Sequence, residues 1–235
     1  MLMAVKSLKL LSDGFFTIDK GLLVYGKTQY YGQKYRAALK PLLIECDDQR
    51  ILVDTGMGNP PEKYARFYAH EKNPSLPDSL KTAGLSTDDI SIVINTHLHL
   101  DHCGNNSLFG NARFLVQAVE LEYARNPHRF QKSGYVNEMF DAVKYETISG
   151  EKMICNGVRA VPTPGHTPGH QSVVVEMKDR KYIYCGDVAP IRENIEQMSI
   201  VGILHNPVQA LESIDKIIAL NGICIYSHDS EQLAI

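Results

Sequence analysis

The chain has 235 residues, 44% hydrophobic and 22% charged, with a formal net charge of −3. These are ordinary globular values, which support a well-buried core and argue against disorder. The 24 basic residues are scattered instead of gathered into a stripe, which argues against a nucleic-acid partner. In chain order, the N-terminus lacks the unbroken apolar stretch of a secretory signal, and no apolar run approaches the roughly 18 residues of a membrane span. Apolar runs rich in β-branched residues predict strands at 42–46, 51–54, 90–95, 113–116, 158–161, 172–176, 182–185 and 223–226. Ser75 can cap a helix ending near Gly84, a second helix is expected over 116–126, and Pro207 starts a third that reaches Leu220 and stops at Gly222. From Gly56 to Pro77 glycine, proline, asparagine, aromatics and charges mix without a period, as in a binding loop.

Strands dominate each half, with helices between them, which predicts a layered α/β fold with sheet packed on sheet and helices outside. No linker or low-complexity tract marks a boundary, so residues 1–235 are expected to form a single domain. Cys46, Cys103, Cys155, Cys185 and Cys224 are dispersed, with no C-x-x-C spacing. An odd, dispersed set points to a reducing compartment, with at least four of the thiols acting as small buried apolar groups. The expectation is a cytoplasmic protein acting on a small molecule, with neither membrane nor nucleic acid as partner. Nothing in the sequence bears on oligomeric state.

The chemistry is concentrated in Thr96-His97-Leu98-His99-Leu100-Asp101-His102, directly after a predicted strand. In extended backbone, residues two apart share a side, so His97 and His99 can reach one cation together. If the chain then turns, as Gly104-Asn105-Asn106 suggests, Asp101 and His102 serve a neighbouring position. Other strand ends add to the set: His166 and His170 in a Pro/Gly-fixed loop, Asp187 after Gly186, and His228 between Ser227 and Asp229. Nitrogen and oxygen donors of this kind suit zinc, and also iron, manganese or cobalt. Two divalent metal ions side by side could activate a water and polarise a carbonyl, and such a centre needs a bridging carboxylate, for which Asp187 is the natural candidate.

These segments resemble the metallo-β-lactamase superfamily. The resemblance rests on Leu52-Val53-Asp54-Thr55-Gly56, the H-x-H-x-D-H segment at 97–102, Thr163-Pro164-Gly165-His166, Gly186-Asp187 and Ser227-His228-Asp229. It implies a four-layer αββα sandwich. It also implies His97, His99 and His166 on one metal, Asp101, His102 and His228 on the second, and Asp187 between them, with Asp101 and Asp187 also catalytic. By the same resemblance Asp54 orients a ligand without binding metal, and His170 is structural.

Within the superfamily the chain is most similar to the N-acyl-homoserine lactonases, through 97–102, Val116-Gln117, 164–172, 206–211 and 227–232. This implies a dinuclear hydrolase acting on a lactone. The alternatives are a thioesterase of the glyoxalase II type, a β-lactam hydrolase on the same centre, or a metal-binding protein without catalysis. One position departs from the lactonase pattern: a tyrosine is expected three residues after the bridging aspartate, and this chain has Pro190. Tyr64, Tyr68 and Tyr135 are candidates to supply the missing hydroxyl. With Phe67, the first two could also form an apolar wall for an acyl tail.

Overall fold

The computed structural model describes residues 5–47 and 49–235. Six strands form one sheet: β1 (Ser7–Leu10), β4 (Leu42–Glu45), β5 (Arg50–Val53), β6 (Ile92–Ile94), β7 (Arg113–Gln117) and β8 (Tyr145–Ile148), in that spatial order. A second sheet has β13 (Ile223–Tyr226), β12 (Lys181–Gly186), β11 (Gln171–Glu176), β10 (Val158–Pro162) and β9 (Lys152–Cys155), again in spatial order. A separate antiparallel ribbon pairs β2 (Phe15–Asp19) with β3 (Lys34–Ala38).

Alternation along the strands explains why the two sheets stack. Side chains at successive positions face opposite sides. Leu42, Ile44, Ile51 and Val53 therefore pack inward against Val173, Val175, Tyr182 and Tyr184 of the other sheet. The residues between them face outward: Leu43 and Leu52 meet Leu76 and Leu80 of the helix Leu76–Thr82. On the far side, Val174, Ile183 and Cys185 meet Ile214 and Ile217 of the helix Pro207–Ala219. The layers run helix, sheet, sheet, helix, as the resemblance implies. Each fully buried aliphatic side chain contributes about 1.5–3 kcal/mol, so this double alternation carries most of the driving force.

All eight predicted strands are present, within a few residues of the expected bounds. The strands that sequence reading missed are β1, β8, β9 and the β2–β3 ribbon. Three are sheet edges and the ribbon is half solvated; such strands carry charges and short apolar runs that blunt the period-2 signal. Ser75 does cap its helix, its hydroxyl accepting the Asp78 N–H in a capping box. The second helix starts later than expected, at Ala118, because 113–117 belongs to β7. Asn206 caps the last helix by accepting from the N–H groups of Val208 and Gln209. Asn221 takes the left-handed conformation that ends it (φ 50°), so Gly222 is not the stop residue. The loop from Gly56 contains a short helix, Glu62–Ala65. No helix among the described residues is long and apolar enough to cross a membrane.

Candidate metal centre

The C-terminal ends of β5, β6, β10, β12 and β13 lie along one rim, and each delivers a polar side chain there. After β6 the chain bends at Thr96, is extended at His99 (φ −66°, ψ 152°) and then enters the short helix Leu100–Cys103. His97 and His99 thus share a side, while Asp101 and His102 ride on the helix. The turn begins at Leu100, earlier than the Gly104-Asn105-Asn106 stretch suggested.

Two clusters result. In the first, His97 Nε2, His99 Nδ1 and His166 Nε2 lie 3.0–3.2 Å apart. In the second, His102 Nε2 is 3.2 Å from His228 Nε2, and Asp101 Oδ2 is 3.9 Å and 3.5 Å from those two nitrogens. Asp187 stands between: Oδ1 lies 3.3 Å from His102 and 3.2 Å from His228, and Oδ2 lies 3.6 Å from His166. The rings of His97 and His102 are 4.1 Å apart, so the clusters share a wall.

Hydrogen bonds behind the rings fix which nitrogen faces inward. His166 Nδ1 donates to the Ile203 carbonyl (2.6 Å) and His228 Nδ1 to the Ala38 carbonyl (2.8 Å). His102 Nδ1 donates to Asp54 Oδ2 (2.8 Å). His97 Nδ1 faces Thr96 Oγ1 (3.1 Å), whose own proton goes to Asp54 (2.8 Å). With Nδ1 protonated in all four, each Nε2 presents a lone pair to the cluster. Lone pairs converging at such spacing repel unless a cation lies among them. A tetrahedral ion with Zn–N bonds of about 2.0–2.1 Å needs donors roughly 3.3 Å apart, close to the observed spacing. His97–His99–His166 and Asp101–His102–His228 are both groups that could hold a metal ion. The donor set fits a pair of divalent cations.

Burial is nearly complete, and it sets the electrostatics. Burial first, and then the neighbouring rings, hold His97 and His99 well below the ordinary imidazole range. Burial also opposes charge on His102 and His228, but Asp187 and its companions outweigh it and raise both. Burial works against the Asp187 charge too, yet His228 and His102 hold its carboxyl well below the usual range. His170 is pushed down to about 3, chiefly by burial, and stays neutral. Its Nε2 accepts the Asp187 N–H (2.9 Å), so it aims the carboxylate from behind. Gly186 is required there: at φ 59°, a Cβ would lie 2.6 Å from His170 Nε2.

A sequence model of the metallo-beta-lactamase superfamily matches residues 42–226. The chain belongs to this superfamily. An N-acyl homoserine lactonase of Bacillus thuringiensis is 30% identical over 210 residues, 81% of this chain and 80% of that protein. A solved N-acyl homoserine lactone hydrolase, with the product N-hexanoyl-L-homoserine bound at its catalytic metal center, superposes with a TM-score of 0.84 at 28% identity. That superposition covers 97% of this chain and 95% of the other. AidC, a dizinc quorum-quenching lactonase, shares the fold at 19% identity, with a TM-score of 0.76 over 99% of this chain and 93% of its own.

In this metallo-beta-lactamase rim the clusters open onto a cavity of about 100 Å³ lined by His99, Asp101, His166, Asp187, His228 and Tyr68, among others. Through Ile18, Leu22, Tyr68, Ser133 and Ile203 it continues into an apolar groove of about 410 Å³ bounded by Tyr64 and Phe67. Of the three candidate tyrosines, only Tyr68 faces the inner cavity. Its hydroxyl is pushed up to about 12, by burial and then by the charge of Asp101, so it is a proton donor at neutral pH. Tyr64 lines the outer groove alone, and Tyr135 is spent on a bond to Glu120 (3.0 Å). Pro190 is buried; its carbonyl accepts the His228 N–H (2.9 Å). Tyr64 and Tyr68 also pack on Phe16 and Leu100, so the loop's aromatics serve both packing and the groove.

Sequence reasoning missed Thr96, Ser227, Glu120 and the β3 carbonyl of Ala38. Thr96 and Ser227 adjoin cluster histidines, and Ser227 Oγ donates to Asp187 Oδ1 (2.7 Å). A hydroxyl beside a histidine at a strand end was a usable signal. Glu120 was detectable as a carboxylate on the buried helix face of Leu121 and Ala124.

Proposed function

We propose that this chain is a lactonase that opens N-acyl homoserine lactones with two divalent cations, zinc being the metal that its imidazole and carboxylate donors suit best. His97, His99 and His166 hold one ion, Asp101, His102 and His228 the other, and Asp187 serves both. The observation that carries the reading is the shared carboxylate at the closed end of an apolar groove: Asp187 turns one oxygen to each cluster, and the groove beyond suits an acyl tail. The similarity to lactonases that act on this substrate class supports it.

When bound, the ions lower the pKa of a water and draw charge from the ester carbonyl. The protein's own groups do the rest. Asp101, whose side chain is 18% exposed and lines the inner cavity, accepts the proton of the attacking water and returns it to the departing ring oxygen. Tyr68 donates its hydroxyl hydrogen to the oxygen on which charge builds. Ile18, Leu22 and Phe67 along the groove exclude water from the tail. Ring opening yields a hydroxy acid and so releases a proton, which an indicator dye reports.

The test is turnover by the zinc-loaded protein of homoserine lactones, thioesters, β-lactams and phosphoesters. We expect homoserine lactones to be preferred, with KM falling as the acyl tail lengthens. Cleavage of a thioester or β-lactam with lactones untouched overturns the reading.

A further inference from the structure

Glu120 has no part in the reaction above, yet it is a fully buried carboxylate on the helix Ala118–Arg125. Its Oε1 accepts the Leu98 N–H (3.0 Å) and the Tyr135 hydroxyl (3.0 Å). Its Oε2 accepts the Thr167 hydroxyl (2.6 Å) and the Gly169 N–H (3.2 Å). Leu98 is the residue between His97 and His99, and Thr167 follows His166. One side chain therefore ties together the two segments, 69 residues apart at His97 and His166, that meet in the first cluster. Backbone N–H groups can only donate, so only an ionised carboxylate accepts all four bonds. Burial pushes this carboxyl up, and the four donors offset part of that. The loop seats directly on the helix: a Cβ at Gly169 would come within 2.2 Å of the Glu120 nitrogen. None of the four partners belongs to the second cluster.

We propose that Glu120 is the positioning residue that holds His97 and His99 in register with His166, and so sets the divalent-cation affinity of that cluster alone. The proposal rests on reading the two clusters as two metal sites. A group behind the ligands typically accounts for a factor of roughly 10–100 in metal affinity.

Glu120→Gln keeps the shape, but its amide nitrogen cannot accept, so the Leu98 or the Gly169 N–H loses its partner. The effect is read by chelator-competition titration with zinc in two backgrounds. His102→Ala leaves the first cluster to be measured, and His99→Ala leaves the second. We expect Glu120→Gln to weaken zinc binding about 10–100-fold in the His102→Ala background, and to leave it unchanged in the His99→Ala background. Circular dichroism of the metal-free forms checks folding. If Glu120→Gln fails to fold, Thr167→Val, which removes one donor to Oε2, should weaken the same cluster selectively by a smaller factor. Equal losses in both backgrounds, or none in the first, overturn the proposal while the two-site reading stands. A wild-type protein that binds fewer than two zinc ions overturns both.

Discussion

The two clusters lie side by side but differ in composition and charge: one is three histidines, the other two histidines and an aspartate. His97, His99 and His166 form an uncharged trio, two of them nearly inaccessible, held by Thr96, the Ile203 carbonyl and, through the backbone, Glu120. Asp101, His102 and His228 include a carboxylate of their own, open toward the cavity, and are backed by the charge of Asp54. A trio of neutral donors gives a cation little compensation for lost water, so it depends on geometry and on the shared Asp187. The second cluster supplies its own negative charge, and of the six side chains its Asp101 is the most exposed, at 18%. Placement dominates in the first and electrostatics in the second.

Asp187→Asn is the severest way to break this comparison, because among the described residues it removes the one carboxylate that faces both clusters. Zinc content should fall at both positions, and kcat/KM should fall by more than the roughly 10–100-fold usual for a supporting residue. Elemental analysis alongside lactone turnover checks it; a variant that keeps two ions and near-normal turnover would remove Asp187 from the centre. Tyr68→Phe comes next, since it takes away a hydroxyl and leaves the ring on Phe16. With metal content unchanged, kcat should drop by about 10²-fold, the loss typical of one donor to a developing oxyanion. An unchanged kcat would mean that the cations alone carry the oxyanion.

Asp54→Asn sharpens the contrast from the other side. Asp54 sits at a strand end in the left-handed region (φ 60°), which aspartate tolerates, and it accepts His102 Nδ1–H at 2.8 Å. Losing its charge should weaken zinc at the second cluster by roughly 10-fold. The first cluster, touched only through Thr96, should change less. Chelator competition in the His99→Ala and His102→Ala backgrounds separates the two. Equal losses would show that Thr96 couples the clusters.

What could be read from the sequence divides instead between local patterns and contacts made only by the tertiary fold. The β-branched runs that build the inner sheet faces, and the H-x-H-x-D-H segment after one of them, are local patterns, and both were readable. The support of the second cluster was not. His228 leans on the Ala38 carbonyl and on the ring of Phe16, 5.3 Å away, and both belong to the half-solvated ribbon that the period-2 signal missed. Glu120 meets Leu98 and Thr167 only through the tertiary fold, and no spacing in the sequence announces that meeting. Pro190 offers no hydroxyl, and which tyrosine faces the cavity depends on how the 56–77 loop folds over the rim.

The smallest expected effect concerns the ground behind the second cluster, where a cation is buried. Lys40 follows the ribbon that braces His228, and its Nζ donates to the Gln232 carbonyl (2.7 Å). Burial lowers its pKa from 10.5 to about 7; Asp229 resists that shift and Arg192 adds to it. The sign follows from where the proton is held. Between about 7 and 10.5 the unfolded chain keeps the proton and the folded protein releases it, so folding becomes more favourable as pH rises through that window. Below about 7 both states are charged and the full cost of burial remains. Lys40→Met removes the titration and also the bond to Gln232. The stability of wild type relative to the variant should therefore climb between pH 7 and pH 9, by at most about 1.4 kcal/mol per pH unit. Urea midpoints of the metal-free proteins at three pH values measure it. A difference that stays constant with pH would mean that Lys40 keeps its charge inside the fold. The second cluster would then be backed by a charged ammonium held by the Gln232 carbonyl in place of a neutral amine.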